Sequence, residues 1–155
     1  MKKLISYEIR KLATILKAAS IYEIAWSEPD FVEESGEYFE NIKAIEFFKK
    51  RGISFKSEQE LVSLLRKGKL VDMPLEKVHN YSSIREFFKE IQNSEYAKSF
   101  HSMKKYLESY KKIKLPAPIF IKISHTGDIW CLSGNRRINF AKYFKLPIKV
   151  WLLVI

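Results

Sequence analysis

The strongest constraint on the fold lies near the C-terminal end, where an apolar run closing at Leu132 meets Ser133 and Gly134 and gives way to a helical pattern. A strand that passes through a glycine turn into a helix leaves the first N–H groups of that helix without intrahelical acceptors. Those groups and the helix dipole favour an anion. Asn135 is expected to cap the helix, and Arg136 and Arg137 fall in its first turn, where their fork-shaped donors suit phosphate. Ser133 adds a hydroxyl. One glycine is weaker evidence than the multi-glycine loops that grip phosphates in nucleotide enzymes.

The flanking residues read as a hairpin and a closing strand. Ile119, Ile121 and Ile123 alternate with Phe120, Lys122 and Ser124, the 125–128 stretch holds Gly127 and Asp128 for a turn, and Ile129 to Ser133 returns. Pro116 and Pro118 force an extended lead into the first of these strands. After the turn, Ile138, Ala141 and Phe144 recur at helical spacing, Pro147 ends the helix, and Ile148 to Ile155 forms a strongly apolar strand.

Residues 134–150, G-N-R-R-I-N-F-A-K-Y-F-K-L-P-I-K-V, resemble the signature of the ParB/sulfiredoxin superfamily, in which a G-x-x-R turn opens a helix and a short "I-P-V" strand follows. Upstream, D-M-P-L-E-K-V at 72–78 resembles the "D-I-P-L-x-x-I" strand of ParB-type domains, and P-I-F-I at 118–121 resembles their "P-I-x-V" strand. The resemblance covers roughly residues 69–155. It implies an α+β fold, a small mixed sheet with packed helices, preceded here by a helical N-terminal region. It also implies a nucleotide held at the turn: CTP in ParB-type partition proteins, ATP in sulfiredoxin, adenine nucleotides in the free-serine kinases. On that basis Ser133, Gly134, Asn135, Arg136 and Arg137 are the expected phosphate-binding positions, with a nucleoside triphosphate and Mg2+ as the implied cofactor. Asn135 stands where sulfiredoxin carries its cysteine and where partition proteins often carry glutamate, so neither of those chemistries is expected. In the superfamily's kinases an acidic residue outside the turn assists; Asp72 and Glu76 are the corresponding catalytic candidates for a phosphotransferase or ParB-type nuclease.

Upstream of residue 69 the pattern is helical. Ile5, Ile9, Leu12, Leu16 and Ala19 place a helix over residues 3–25. Pro29 breaks it, and a second helix is expected from Ser35 to Arg51 with Phe39, Ile42, Ile45 and Phe48 or Phe47 buried and Gly52 ending it. Ser57 and Glu60 form a capping box for a third helix ending at Gly68. The connection from Gly52 to Lys56 is long for a helix-turn-helix, and the third helix offers only Arg66 and Lys67 as basic groups. Residues 1–68 are therefore expected to act as a packing or dimerisation appendage to a domain at 69–155, a homodimer through these helices being the candidate assembly.

Lys69 to Val78 reads as the strand that opens the second unit. Ser83 and Glu86 cap a helix bearing Ile84, Phe87, Phe88 and Ile91, and a longer helix follows with Tyr96, Phe100, Met103, Leu107 and Tyr110 as its apolar stripe. Lys98, Lys104, Lys105, Lys111 and Lys112 flank that stripe, and Lys104, Lys105, Lys111 and Lys112 are the candidate contacts to a DNA backbone.

Charge placement agrees with a polyanionic ligand. The net charge is +10, yet residues 1–68 carry 12 Lys and Arg against 11 Asp and Glu, residues 69–100 carry 5 against 5, and residues 101–155 carry 11 against 2. Eight Asp and Glu lie between Glu23 and Glu46, the pattern of a solvated acidic face. No apolar run approaches the roughly 20 residues of a membrane span, and the start lacks the features of a signal peptide. One cysteine, Cys131, excludes an internal disulfide and makes the cytoplasm the default compartment. His79, His101 and His125 are too scattered for a structural zinc site. The expected function is nucleotide or polyphosphate binding in a DNA-associated or regulatory setting. The alternatives are a small enzyme using Asp72 or Glu76, and a DNA-binding protein indifferent to sequence.

Overall fold

The computed structural model describes residues 21–155 other than Ser94. Among these residues it is a mixed α+β structure with six helices and two small sheets. The strands are β1 (Glu23–Ser27), β2 (Lys69–Asp72), β3 (Lys112–Pro116), β4 (Ile119–Lys122), β5 (Ile129–Ser133) and β6 (Lys149–Val154). The helices are α1 (Phe31–Glu40), α2 (Ile42–Lys49), α3 (Glu58–Leu65), α4 (Ile84–Asn93), α5 (Tyr96–Tyr110) and α6 (Asn135–Tyr143).

The larger sheet has the order β2-β6-β4-β5. Its centre is the parallel pair β4 and β6, flanked by antiparallel β5 and β2. Alternate side chains along these strands go to opposite faces, and both faces are covered. Ile119, Ile121, Trp130, Leu132 and Leu153 pack against Phe31, Phe48, Leu61 and Leu65 of α1, α2 and α3. Phe120, Ile129, Cys131 and Val150 on the reverse face pack with Ile138 of α6. This is why the strands read as nearly continuous apolar runs. The expected boundary near residue 69 lies between α3 and β2, and a single apolar cluster spans both sides of it.

The smaller sheet pairs β1 with β3 in parallel, from Glu23 opposite Lys112 to Ser27 opposite Pro116. Residues 23–25 were expected to end a helix; they are strand, because β3 supplies their hydrogen-bond partners. The part of that expected helix at residues 3–20 lies outside the described residues. Residues 112–116 are likewise a strand rather than a mere extended lead. Ile24, Ile113 and Leu115 turn inward and join Phe100, Leu107 and Phe140 in another cluster.

Three further expectations change. The helix expected over 35–51 is two helices, broken at Asn41, whose extended backbone ends α1 while its side chain accepts from Ala44 N and caps α2. Ile42, assigned to a buried stripe, is therefore exposed. The strand expected over 69–78 stops at Asp72, and only a single bridge between Val78 and Ile129 follows. In α5, Phe100 and Leu107 are buried, whereas Tyr110 is not. The capping serines behave as expected: Ser57 accepts from Glu60 N and Ser83 from Glu86 N, each at 3.2 Å.

Candidate functional site

Every residue of β5 is buried, and the chain leaves it at Gly134 with φ of +102°. A Cβ here would come within 2.6 Å of Pro118 Cβ and 2.7 Å of its Cα, so glycine alone fits the turn. Gly134 itself is the N-cap of α6 and no side chain caps the helix. The first α-helical bond runs from Ile138 N to Gly134 O, at 3.0 Å. The N–H groups of Asn135, Arg136 and Arg137 thus lack intrahelical acceptors.

Asn135 does not cap, contrary to expectation. Its side chain accepts from Ser82 N at 3.3 Å and donates to Asn80 O at 3.4 Å, which ties the turn to the 80–82 loop. That loop is fixed in its turn by Asn80, whose amide pairs with both Cys131 N and Cys131 O at 2.7 Å, as a neighbouring strand would.

The two arginines are engaged differently. Arg137 is largely buried; its Nη1 donates to Pro116 O at 2.9 Å and its Nη2 donates to Glu34 of α1. The other Glu34 oxygen, Oε2, is buried with no hydrogen-bond partner, and so is Ser133 Oγ. Burial raises the pKa of Glu34, and Arg137 and then the nearby Ser133 hydroxyl oppose the rise without cancelling it. Arg136 is half-exposed, with its guanidinium 2.9 Å from the Tyr96 ring centroid and its Nε 3.9 Å from Glu90.

A cavity of about 520 Å³ opens at this turn. Residues 133–137 line one side, and Glu37, Asn80 and Met103 contribute to the rest. Glu37 makes no hydrogen bond or ion pair among the described residues. Glu37 is exposed, and partial desolvation raises its pKa against the opposing pull of Arg137 and Arg136. The cavity therefore offers backbone N–H donors, a buried hydroxyl, two guanidinium groups and one unpaired carboxylate, a set that can hold an anion carrying hydrogen-bond donors of its own.

All five turn positions singled out from the sequence meet in this one cavity. Asp72 and Glu76 do not line it. Asp72 is exposed and 3.0 Å from Lys149 Nζ, while Glu76 lies 3.2 Å from Lys122 Nζ beside a separate cavity of about 480 Å³. A hydrogen bond to its own backbone and then Lys122 lower the Glu76 pKa. Lys104 reaches the Tyr143 hydroxyl at 3.4 Å, and Lys104 and Lys105 flank a shallow surface pocket. Lys111 and Lys112 are not on the helix: Lys111 ends it with φ of 60°, and Lys112 begins β3 with its Nζ 3.7 Å from Glu23. Cys131 is buried and its Sγ donates to Ser133 O at 3.3 Å; burial pushes the thiol up to about 12, so it offers no thiolate.

Glu34, Glu37 and Asn80 were not singled out from the sequence. Glu34 did carry a signal, because it stands three residues after Phe31 and four before Tyr38, on the buried face of α1. Asn80 carried none. No helix among the described residues is long and apolar enough to cross a membrane. No protein-family model matches the chain, and neither a curated protein nor a solved structure matches it.

Proposed function

We propose that the 133–137 turn binds the phosphate of a nucleotide, as the turn of ParB/sulfiredoxin-like domains does, and that the chain serves a DNA-associated or regulatory role in the cytoplasm. The observation that supports this reading best is the buried Ser133 hydroxyl. It faces the Glu34 carboxylate without a well-formed hydrogen bond, and it lines a cavity at an uncapped helix N-terminus. An oxyanion in that cavity would accept from Ser133 Oγ and from the N–H groups of residues 135–137, with Arg137 held beside it. Mg2+ bound to a triphosphate would offset the charge of Glu37, the one unpaired carboxylate there.

The test is a thermal-shift series with ATP, ADP, CTP and GTP, each with and without Mg2+, on the native protein, Arg137→Ala and Ser133→Ala. A ligand at a hundred times its dissociation constant stabilises by roughly 2.7 kcal/mol. Arg137→Ala removes a buried charge partner and weakens the fold, so Ser133→Ala carries the comparison: it deletes a hydroxyl that faces the Glu34 carboxylate without a well-formed hydrogen bond. A shift seen in the native protein and reduced in Ser133→Ala supports the reading. No shift with any nucleotide overturns it. If the bound nucleotide is turned over, Glu37 is the carboxylate to test in place of Asp72 and Glu76, and Glu37→Gln should then stop turnover while binding persists.

A further inference from the structure

Helix α5 presents two different faces. Phe100 and Leu107 are buried against the core. Tyr106 and Tyr110 stand one turn apart on another face, 50% and 69% exposed, with ring centroids 4.7 Å apart and planes inclined at 45°. Neither ring is needed to fill the core, and neither hydroxyl makes a hydrogen bond among the described residues. Ser99 and Met103 line the cavity at the 133–137 turn. Tyr106 and Tyr110 follow them at positions seven and eleven after Ser99, so they continue the same helix face away from that cavity. At 1.5 Å per residue the face from Ser99 to Tyr110 is about 16 Å long.

The charge along this stretch of the chain is one-sided. Six lysines and a single acid, Glu108, lie between Lys98 and Lys114. The ammonium groups of Lys98, Lys105, Lys111 and Lys114 make no hydrogen bond or ion pair among the described residues. Exposed aromatic rings among unpaired lysines are the elements that hold unpaired bases and their backbone.

We propose that this face of α5, with Tyr106 and Tyr110 as stacking platforms and the surrounding lysines as backbone contacts, binds single-stranded nucleic acid. A duplex keeps the faces of its bases stacked on one another, so it can meet the lysines but not the tyrosines. The two tyrosines lie along the helix beyond the cavity of the phosphate turn, and the proposal does not depend on a nucleotide binding there.

The experiment is fluorescence anisotropy with labelled single-stranded DNA and RNA oligonucleotides of mixed sequence and the matching DNA duplex. The proteins compared are the native chain, Tyr106→Ala/Tyr110→Ala, Tyr106→Phe/Tyr110→Phe and Ser133→Ala. Thermal unfolding checks that each is folded, which the exposure of both rings favours. The single strands are expected to bind at least about tenfold more tightly than the duplex, and the double alanine variant to lose about tenfold or more of that affinity. The phenylalanine variant keeps its affinity because stacking needs the ring and not the hydroxyl. Ser133→Ala binds as the native protein does, which separates this surface from the turn. The proposal is overturned if no single strand binds, if the duplex binds equally well, if the alanine variant binds like the native protein, or if polyglutamate displaces the oligonucleotides as readily as unlabelled single strand does.

Discussion

Gly134 is the residue on which the turn depends most directly. Its φ of +102° is strained for any L side chain, and an added Cβ would meet both Cα and Cβ of Pro118 inside contact distance. Gly134→Ala should therefore cost about 2 kcal/mol or more of stability, read by urea or thermal unfolding. A change under about 0.5 kcal/mol would show that the turn relaxes around a side chain. The Glu34–Arg137 pair makes a second, less obvious prediction. The raised pKa of Glu34 means that the folded state binds its proton more tightly than the unfolded chain does. That contribution is fully present below the ordinary value of 4.5 and is lost as pH rises through the folded value. At neutral pH, desolvation of the Glu34 carboxylate thus outweighs its attraction to Arg137. Glu34→Gln keeps an oxygen for Arg137 and removes that charge, so its thermal midpoint at pH 7 should equal or exceed that of the native protein. Glu34→Ala leaves a largely buried guanidinium short of a partner and should cost about 3 kcal/mol. If both variants lose stability equally at pH 7, the balance runs the other way and the ion pair is net stabilising.

The elements that could be read from the sequence are those whose signals are local. The β4–β5 hairpin shows in its alternation and in Gly127, and α3 and α4 show in serines that cap as their spacing implies. β1 and β3 were missed because each finds its hydrogen bonds in a segment about ninety residues away, and β1 adjoins residues with helical periodicity. The break between α1 and α2 was missed for the opposite reason. Apolar residues continue across Asn41 at helical spacing, and only the side-chain bond from Asn41 to Ala44 N marks the restart. The broken arrangement leaves Ile42 71% exposed and Phe48 fully buried, which a single continuous stripe would not do. Ile42→Lys should accordingly change stability by no more than about 0.5 kcal/mol, whereas Phe48→Ala should cost about 3–5 kcal/mol by opening a cavity against the sheet. Denaturant midpoints of the two variants decide the matter, and a large loss in Ile42→Lys would restore the continuous helix. The turn itself was legible because one glycine and two arginines sit next to each other in the chain. The carboxylates beside it were not, because α1 brings Glu37 to its cavity and Glu34 to Arg137 from about a hundred residues away.

At the scale of the whole molecule, the +10 charge makes acid the condition under which the fold is most exposed to self-repulsion. Only two acidic residues lie beyond residue 100, and one of them, Asp128, joins three separate parts of the chain. In the turn between β4 and β5 its carboxylate accepts from Arg51 Nε, just beyond α2, and contacts His79 Nε2 of the loop after β2, both at 2.7 Å. Arg51 lies 3.7 Å from the Phe47 ring centroid, and that ring packs 4.6 Å from Trp130 of β5, so the clamp continues into the core. Hydrogen bonds from Arg51, then His79, then Thr126 hold the Asp128 carboxyl well below the usual aspartate range. A depressed folded pKa means that the stabilisation is fully present above the ordinary value of 3.8 and is lost as pH falls below it toward the folded value. Protonating this one group removes one tie between the hairpin, α2 and the 79 loop while the positive charge of the chain is left less compensated. Asp128→Asn keeps the size of the side chain but not its charge, so it should lower the thermal midpoint throughout the neutral range. As the pH is taken below 3.8, the native protein should lose its advantage and the two curves should draw together. Thermal midpoints from pH 7 down to the acid limit of folding make the comparison. A gap between the two proteins that stays constant across that range would mean that the clamp acts through packing of Arg51 on Phe47 and not through the ionised carboxylate.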